Sequence, residues 1–404
     1  MPSTDIKLNG INNRTRPGSV PEGKAKNAVN TLFDKSGNIV MPRFGKTVLY
    51  AGDVTSLAEC DTGTFFVENG DLKILNADGT ASVLKSNVGI DRVSFTKPVG
   101  DEVFFSNATS SGRIKNGSVA SPWGTPRPTR QPTCTPTSFG GMYAGDYRVA
   151  ITWIAEDESG TGMGHRVTVP ASGGIYLSDL PTPPAFVTAI GVYVSSVNGE
   201  EMWFYGDYPA STTAITLSRK ICTIPLRTQF MYPPQPMGLV LLHFGRIHYP
   251  RGTRLYRTEP HKYGLQKANS YVQFDSEIQT VVSCPGVIYV GTLGMLYGLK
   301  NIDGDGPIRV EELQDAGSVK GTECYDPDGV SAYFVCNRGF IKATPEGLEE
   351  LTYADCALPF FKTGATTVVE YNGSKYLVGT FQDGEQNPLA DKEYLAAQLL
   401  RNSL

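Results

Sequence analysis

The feature that most constrains this chain is a recurring unit: a short apolar run, a glycine-containing turn, and a second short apolar run. It is read at residues 64–67 and 72–75 around Asn69-Gly70, continuing past Asp78-Gly79 to 82–84. It returns at 246–257 (RIHYPRGTRLYR), 287–300 (VIYVGTLGMLYGLK), 331–344 (SAYFVCNRGFIKAT) and 367–380 (TVVEYNGSKYLVGT), with a further strand at 102–106. Asn-Gly and Asp-Gly between alternating apolar residues signal hairpins, because both positions of a tight two-residue turn take positive φ. The last three units recur at about 40 residues, the period of propeller blades, each a small sheet that buries its faces only against its neighbours. The 44 glycines, 27 prolines, 20 tyrosines and 18 phenylalanines fit many short strands joined by tight turns. Helix is confined to two short stretches.

Between the blade-like passages the spacing changes. A Pro-rich stretch at 122–136, with five prolines, precedes a segment whose strands are read at 145–154, 165–169, 174–177, 189–195, 202–208 and 214–217. Alternation of Tyr147, Val149, Ile151 and Trp153 gives period two. Such a run of strands predicts a small sandwich of the fibronectin type III kind. A second Pro-rich stretch at 232–236 returns the chain to the blades.

The fold expectation is therefore all-β: a β-propeller with an inserted fibronectin-III-like β-sandwich. The divisions are an N-terminal arm with the first strands (1–46, with a strand at 38–42), a first propeller part (47–125), the sandwich with its Pro-rich linkers (126–235), a second propeller part (236–390) and a C-terminal helix (391–404). The helix rests on DKEYLAAQLL at 391–400, with Leu395, Leu399 and Leu400 on one side, too short to stand without docking on a neighbour.

Composition excludes several classes. A net charge of −4 and a pI near 5.7 argue against a broad basic face gripping nucleic acid. Cys60, Cys134, Cys222, Cys284, Cys324, Cys336 and Cys356 are odd in number, widely spaced and free of Cys-x-x-Cys, which favours buried thiols over disulfides or zinc. No apolar run approaches the ~20 residues of a membrane span, and residues 1–10 lack a secretory layout, so a soluble protein made in a cytoplasm is expected.

No catalytic, cofactor-binding or metal-binding residue is assigned. The Ser-x-Asp-x-Gly-x-x-Trp turns of sialidase propellers are missing, as are a Gly-x-Ser-x-Gly elbow and a phosphate loop of the Gly-x-x-x-x-Gly-Lys-Ser type. Asp303-Gly304-Asp305-Gly306 hints at calcium, but Pro307 follows and Gln314 stands where the closing glutamate belongs, so a solvated turn is the reading. His243 and His248, five apart on strand-like sequence, are expected on opposite faces as packing or interface residues. Basic residues gather in the arm (Arg14, Arg16, Lys24, Lys26) and on the return strand (Arg246, Arg251, Arg254, Arg257), where they could face an acidic neighbouring subunit or DNA; the plainer reading is ordinary solvated charge.

Three phrases resemble a known family. The opening, with Gly-Ile-Asn-Asn at 10–13, Ala-Val-Asn at 28–30 and 37–45 ending in Arg-Phe-Gly, resembles the start of many phage virion proteins. The middle, GDYRVAITWIAEDESGTG followed by IGVYVSSVNGEEMWFYGDYPAS, is similar to their inserted fibronectin-like domain, including the Glu-Ser-Gly turn at 158–160. PPQPMGLVLLHFGRIHYPRGTRLYRTEP resembles their return strand, with its matching phrases at 245–247 and 255–260. The family comprises the packaged-DNA-stabilisation, or tail hub and nozzle, proteins of short-tailed bacteriophages. The resemblance implies a non-enzymatic virion tail protein made in the host bacterial cytoplasm, a homo-oligomer ring (commonly a hexamer) below the portal and adaptor proteins of the head-to-tail connector. Such a ring closes or extends the exit channel for double-stranded DNA, retains packaged DNA until ejection, and offers sites for tail fibre, spike or needle proteins. An acidic lining would let DNA slide past without sticking. The alternative is a receptor- or glycan-binding tail module, for which Trp203, Tyr205 and Tyr208 are the motive, although they alternate along a strand as core residues do.

Overall fold

The computed structural model describes residues 31–33, 40–42, 50–60, 63–96, 100–118, 120–218, 222–302, 304, 306–351, 361–371, 374–383 and 396–400. Every regular element among them is a strand. Among the described residues no helix is long and apolar enough to cross a membrane.

The recurring units fold as up-and-down antiparallel meanders whose strand order follows chain order. The first joins Val54–Cys60, Gly63–Glu68, Asp71–Leu75 and Ala81–Lys85. A three-stranded meander follows from Ser94–Phe95, Glu102–Ser106 and Ser111–Lys115. Two more four-stranded meanders run over Ile278–Cys284, Val287–Thr292, Leu296–Lys300 and Arg309–Gln314, and over Cys324–Tyr325, Ala332–Cys336, Gly339–Ala343 and Leu348–Glu350. The last joins Phe361–Tyr371, Ser374–Asp383 and Ala396–Leu400. At the first hairpin Asn69 and Gly70 have φ of 53° and 80°, the two positive values that the Asn-Gly signal requires.

These meanders pack as blades, because alternate residues of one strand feed two different cores. Phe105 joins Phe65, Val67, Leu72 and Val103, while Phe104 on the other face packs with Trp123, Ile247 and Tyr249. Phe334 packs with Val282, Tyr289 and Ile341, whereas Tyr333 and Val335 turn to Phe361, Leu377 and Phe381. Burying each of these large side chains contributes roughly 1.5–3 kcal/mol. The chain forms two compact units, one from the described residues within 1–51, 250–255 and 273–404, the other from those within 52–249 and 256–272.

The insert lies wholly in the second unit and is a two-sheet sandwich. One sheet orders His165–Val169, Gly145–Ile154, Ala189–Ser195 and Met202–Pro209; the other orders Thr133–Met142, Gly173–Ser178 and Ile215–Leu217. Tyr147, Val149, Ile151 and Trp153 all enter the core between them, with Ile175, Leu177, Val192 and Leu217. The chain is thus all-β, propeller-type blades interrupted by a fibronectin-like sandwich.

Two expectations are corrected. Thr133–Met142, read in part as linker, is a strand on the edge of its sheet, and an edge position is where a proline such as Pro136 costs no ladder hydrogen bond. The C-terminal segment read as helix is a strand over Ala396–Leu400, antiparallel to Ser374–Asp383 with Gly379 opposite Ala396 and Lys375 opposite Leu400. A ten-residue helix is marginal alone, and the open edge of a long strand offers backbone partners that a helix lacks. The rest of that helix, 391–395 and 401–404, lies outside the described residues, as does most of the arm, where Thr31–Phe33 pairs with Val40–Pro42.

Candidate interaction site at the return hairpin and the insert junction

The segment LLHFGRIHYPR forms a tight hairpin: Leu241–His243 pairs with Arg246–Arg251, setting Leu241 opposite His248 and His243 opposite Arg246. Phe244 and Gly245 make the turn with φ of 42° and 70°. Positive φ is routine for asparagine or glycine and unfavourable for a bulky ring. Phe244 nonetheless sits there, 55% exposed, its ring edge-on to His243 with centroids 4.7 Å apart. His261, also at positive φ (54°), closes over the turn and donates its backbone N–H to the Gly245 carbonyl at 2.8 Å.

One face of the hairpin is apolar, with Ile247 and Tyr249 against Phe104 and Trp123. The other carries His243, Arg246 and His248, all buried. The two imidazoles approach edge to face at 6.0 Å, so they share a face rather than taking opposite ones; the turn between them reverses the strand and resets the alternation. Burial first, then the charges of His243, Arg257 and Arg246, hold the His248 imidazole neutral far below the ordinary histidine range.

The loop after the hairpin is tied to the residues that lead into the insert. Trp123 donates its indole N–H to the Tyr263 carbonyl at 2.8 Å, and Gly124 lies so close to Gly264 that a Cβ on Gly124 would collide with the Gly264 carbonyl. Thr125 donates to the backbone carbonyl of Asp157 at 2.8 Å. Arg113, on the blade strand Ser111–Lys115, reaches Asp157 at 2.7 Å, Glu156 at 2.6 Å and Glu102 at 3.8 Å. Burial raises the Glu102 carboxyl above its usual range despite Arg113 and Lys115 nearby. In the same acidic turn Glu158 accepts from Tyr193 at 2.6 Å and Thr152 at 2.8 Å, and a Cβ on Gly160 would strike the Met231 carbonyl.

The basic residues singled out by sequence differ in burial where they are described. Arg14, Arg16, Lys24 and Lys26 lie outside the described residues. Arg246 is buried and donates to the Thr258 carbonyl at 3.1 Å. Arg257 is half-buried, and Arg251 and Arg254 are exposed on either side of the Gly252-Thr253 turn, with Arg254 donating to Gln273 at 2.9 Å. Tyr205 is buried in the sandwich core, with Tyr208 packed against that core and Trp203 half-buried. Cys284 and Cys336 are buried thiols, while Cys134, Cys222 and Cys324 are half-buried; burial pushes the Cys134 thiol up to about 12, which keeps it unreactive. Cys356, Asp303 and Asp305 lie outside the described residues, as does the side chain of Cys60. Among the described residues no group of three or more His, Cys, Asp or Glu is placed to hold a metal ion. Sequence reasoning missed the Arg113 cluster, because its partner Asp157 stands 44 residues away along the chain; the one available signal was the run Glu156-Asp157-Glu158.

No family model matches the chain, and no curated protein sequence matches it. Among solved structures it is similar to Hsv2 of Kluyveromyces lactis, at 9% identity over 87% of this chain and 98% of that one, with a TM-score of 0.31. It is similar to BBS1N in complex with ARL6DN at 11% identity over 88% and 95%, TM-score 0.35. AztD from Citrobacter koseri aligns at 11% identity over 74% and 70%, TM-score 0.30. At these values the likeness does not extend to what those proteins bind or do.

Proposed function

We propose that this chain is a non-enzymatic structural protein of a bacteriophage virion tail, a hub or nozzle subunit whose ring extends or closes the DNA exit channel and retains packaged DNA until ejection. The observation that carries this reading is where the family-like phrases fall. Residues 158–160 sit in the turn that fastens the insert, 245–247 fall at the turn of the return hairpin, and 255–260 run from the next strand of its sheet, Arg254–Arg257, into the turn that follows. These are joints, and a subunit that withstands the pressure of packaged DNA needs its parts locked together. Exposed Arg251 and Arg254 supply charge for an acidic neighbouring subunit or for DNA phosphate, and the overall charge of −4 disfavours adhesion of passing DNA. Portal and adaptor proteins on one side, and fibre, spike or needle proteins on the other, are the partners of such a ring.

The test is assembly of particles without this chain. Such particles are expected to fill and then lose their DNA, and addition of purified protein restores retention. Stable retention in its absence sinks the plugging role.

A further inference from the structure

The second unit carries a solvent-open groove of about 500 Å³, lined by Lys85, Trp123, Pro126, Phe186, Pro233 and Pro234 among others. Its walls come from the end of the strand Ala81–Lys85, from both Pro-rich linkers, and from the sandwich through Phe186, which is 42% exposed. The four prolines of the lining have no backbone N–H and give apolar contact together with Ala120, Trp123 and Phe186, while Ser111, Ser121 and Gly124 add polar groups.

Lys85 is the one charged side chain of the lining. Its ammonium donates to the Ser111 carbonyl at 3.2 Å and lies 5.4 Å from the centroid of the Phe105 ring. An ammonium has three donors, and among the described residues no carboxylate stands within ion-pair distance of this one. Burial lowers its pKa with no opposing charge to offset that. Other half-buried lysines of this protein are paired, Lys73 with Glu68 at 2.6 Å and Lys375 with Asp326 at 2.5 Å. A half-buried cation with no carboxylate beside it among the described residues is only partly compensated by the Ser111 carbonyl and the Phe105 ring, and an anion arriving from outside would complete the pairing.

We propose that this groove docks an extended apolar segment of a partner protein, anchored by an Asp or Glu side chain that pairs with Lys85. Such a segment keeps its own backbone hydrated, because the groove is open, while its apolar side chains lie against proline, Trp123 and Phe186. The groove would take this ligand whether or not the chain belongs to a tail, so its failure and that of the virion reading are separate results.

The experiment is an NMR titration of the full chain with a capped Pro-Leu-Asp-Pro peptide and its Pro-Leu-Asn-Pro analogue. Saturable shifts at the Trp123 indole are expected, with the Asp peptide bound at least about tenfold more tightly, the effect of one charge-assisted hydrogen bond. Lys85→Met should bring the two peptides within about twofold, and Lys85→Arg should restore the preference. Equal binding of the two peptides to the unmodified protein, absence of saturable shifts, or a preference that survives in a folded Lys85→Met variant overturns the proposal. The comparison on unmodified protein decides the matter even if a variant fails to fold.

Discussion

Arg113 and Asp157 meet at 2.7 Å, which fastens a blade strand to the acidic turn of the inserted sandwich. The Arg113 side chain is 6% exposed, and the same guanidinium lies 2.6 Å from Glu156. A cation this buried, shared between carboxylates, fixes orientation, since the planar fork of arginine tolerates little rotation. With the hydrogen bond from Thr125 to the Asp157 carbonyl, it ties the insert to the blade beside it.

Removing the cation should therefore cost far more than removing one anion. Arg113→Met leaves several carboxylates clustered without their counter-charge and is expected to lower stability by about 2–4 kcal/mol. Asp157 is 37% exposed, so Asp157→Asn should cost only about 1 kcal/mol or less. Urea unfolding of the two variants measures both; equal losses would show that Arg113 is not the shared centre.

A second joint links two blades in the other unit. Lys375 reaches Asp326 at 2.5 Å, and Tyr333 donates to the same carboxylate at 3.0 Å. Burial pushes the Asp326 carboxyl up, and the hydrogen bonds from Lys375 and Tyr333 outweigh it, leaving the group below the ordinary aspartate value. A depressed carboxylate stabilises the fold above its unfolded pKa, near 3.9, and that contribution is lost as pH falls through the lower folded value. Lys375→Met should cost about 2 kcal/mol at neutral pH and progressively less below about pH 4. Denaturant midpoints at pH 7 and pH 3 check this, and a cost independent of pH contradicts it.

His248 sets a dependence at higher pH. Folded, its imidazole stays neutral well below the usual range; unfolded, it takes a proton near pH 6.5. The unfolded state then binds more protons, so stability falls as pH drops below about 6.5, by up to about 1.4 kcal/mol per pH unit from this one group. His248→Leu should flatten the pH 7 to pH 5 stability profile, and an unchanged slope would assign the effect elsewhere.

The Phe244 turn stores conformational cost on an exposed surface. Phe244 at φ of 42° occupies the first central position of a turn that prefers asparagine. Phe244→Asn is expected to raise stability by about 0.5–1 kcal/mol, read from thermal unfolding. Destabilisation instead would mean that the ring contact with His243 outweighs the backbone strain.

Much of the blade architecture was legible because its signals are local. The expected strand at 102–106 is observed as Glu102–Ser106, and the Asn69-Gly70 turn has the positive φ pair expected of it. Thr133–Met142 escaped because threonine, proline and glycine on an edge strand leave no apolar alternation, and Ala396–Leu400 misled because a short helical apolar spacing carries too little energy to resist strand pairing. The site was less legible for a different reason. Which carboxylate meets Arg113, and that Lys85 meets none among the described residues, depends on contacts between segments far apart in sequence. The face shared by His243 and His248 depended on recognising Phe244-Gly245 as a two-residue turn rather than as continued strand.

The most direct test of the central claim is electron cryo-microscopy of purified virions carrying this chain, with the chain traced into the map. The account predicts a closed ring of copies beneath the portal and adaptor, with the DNA channel running through it. Copies confined to the periphery of the tail, presenting exposed aromatic residues outward, or absence of the chain from the particle, would contradict it.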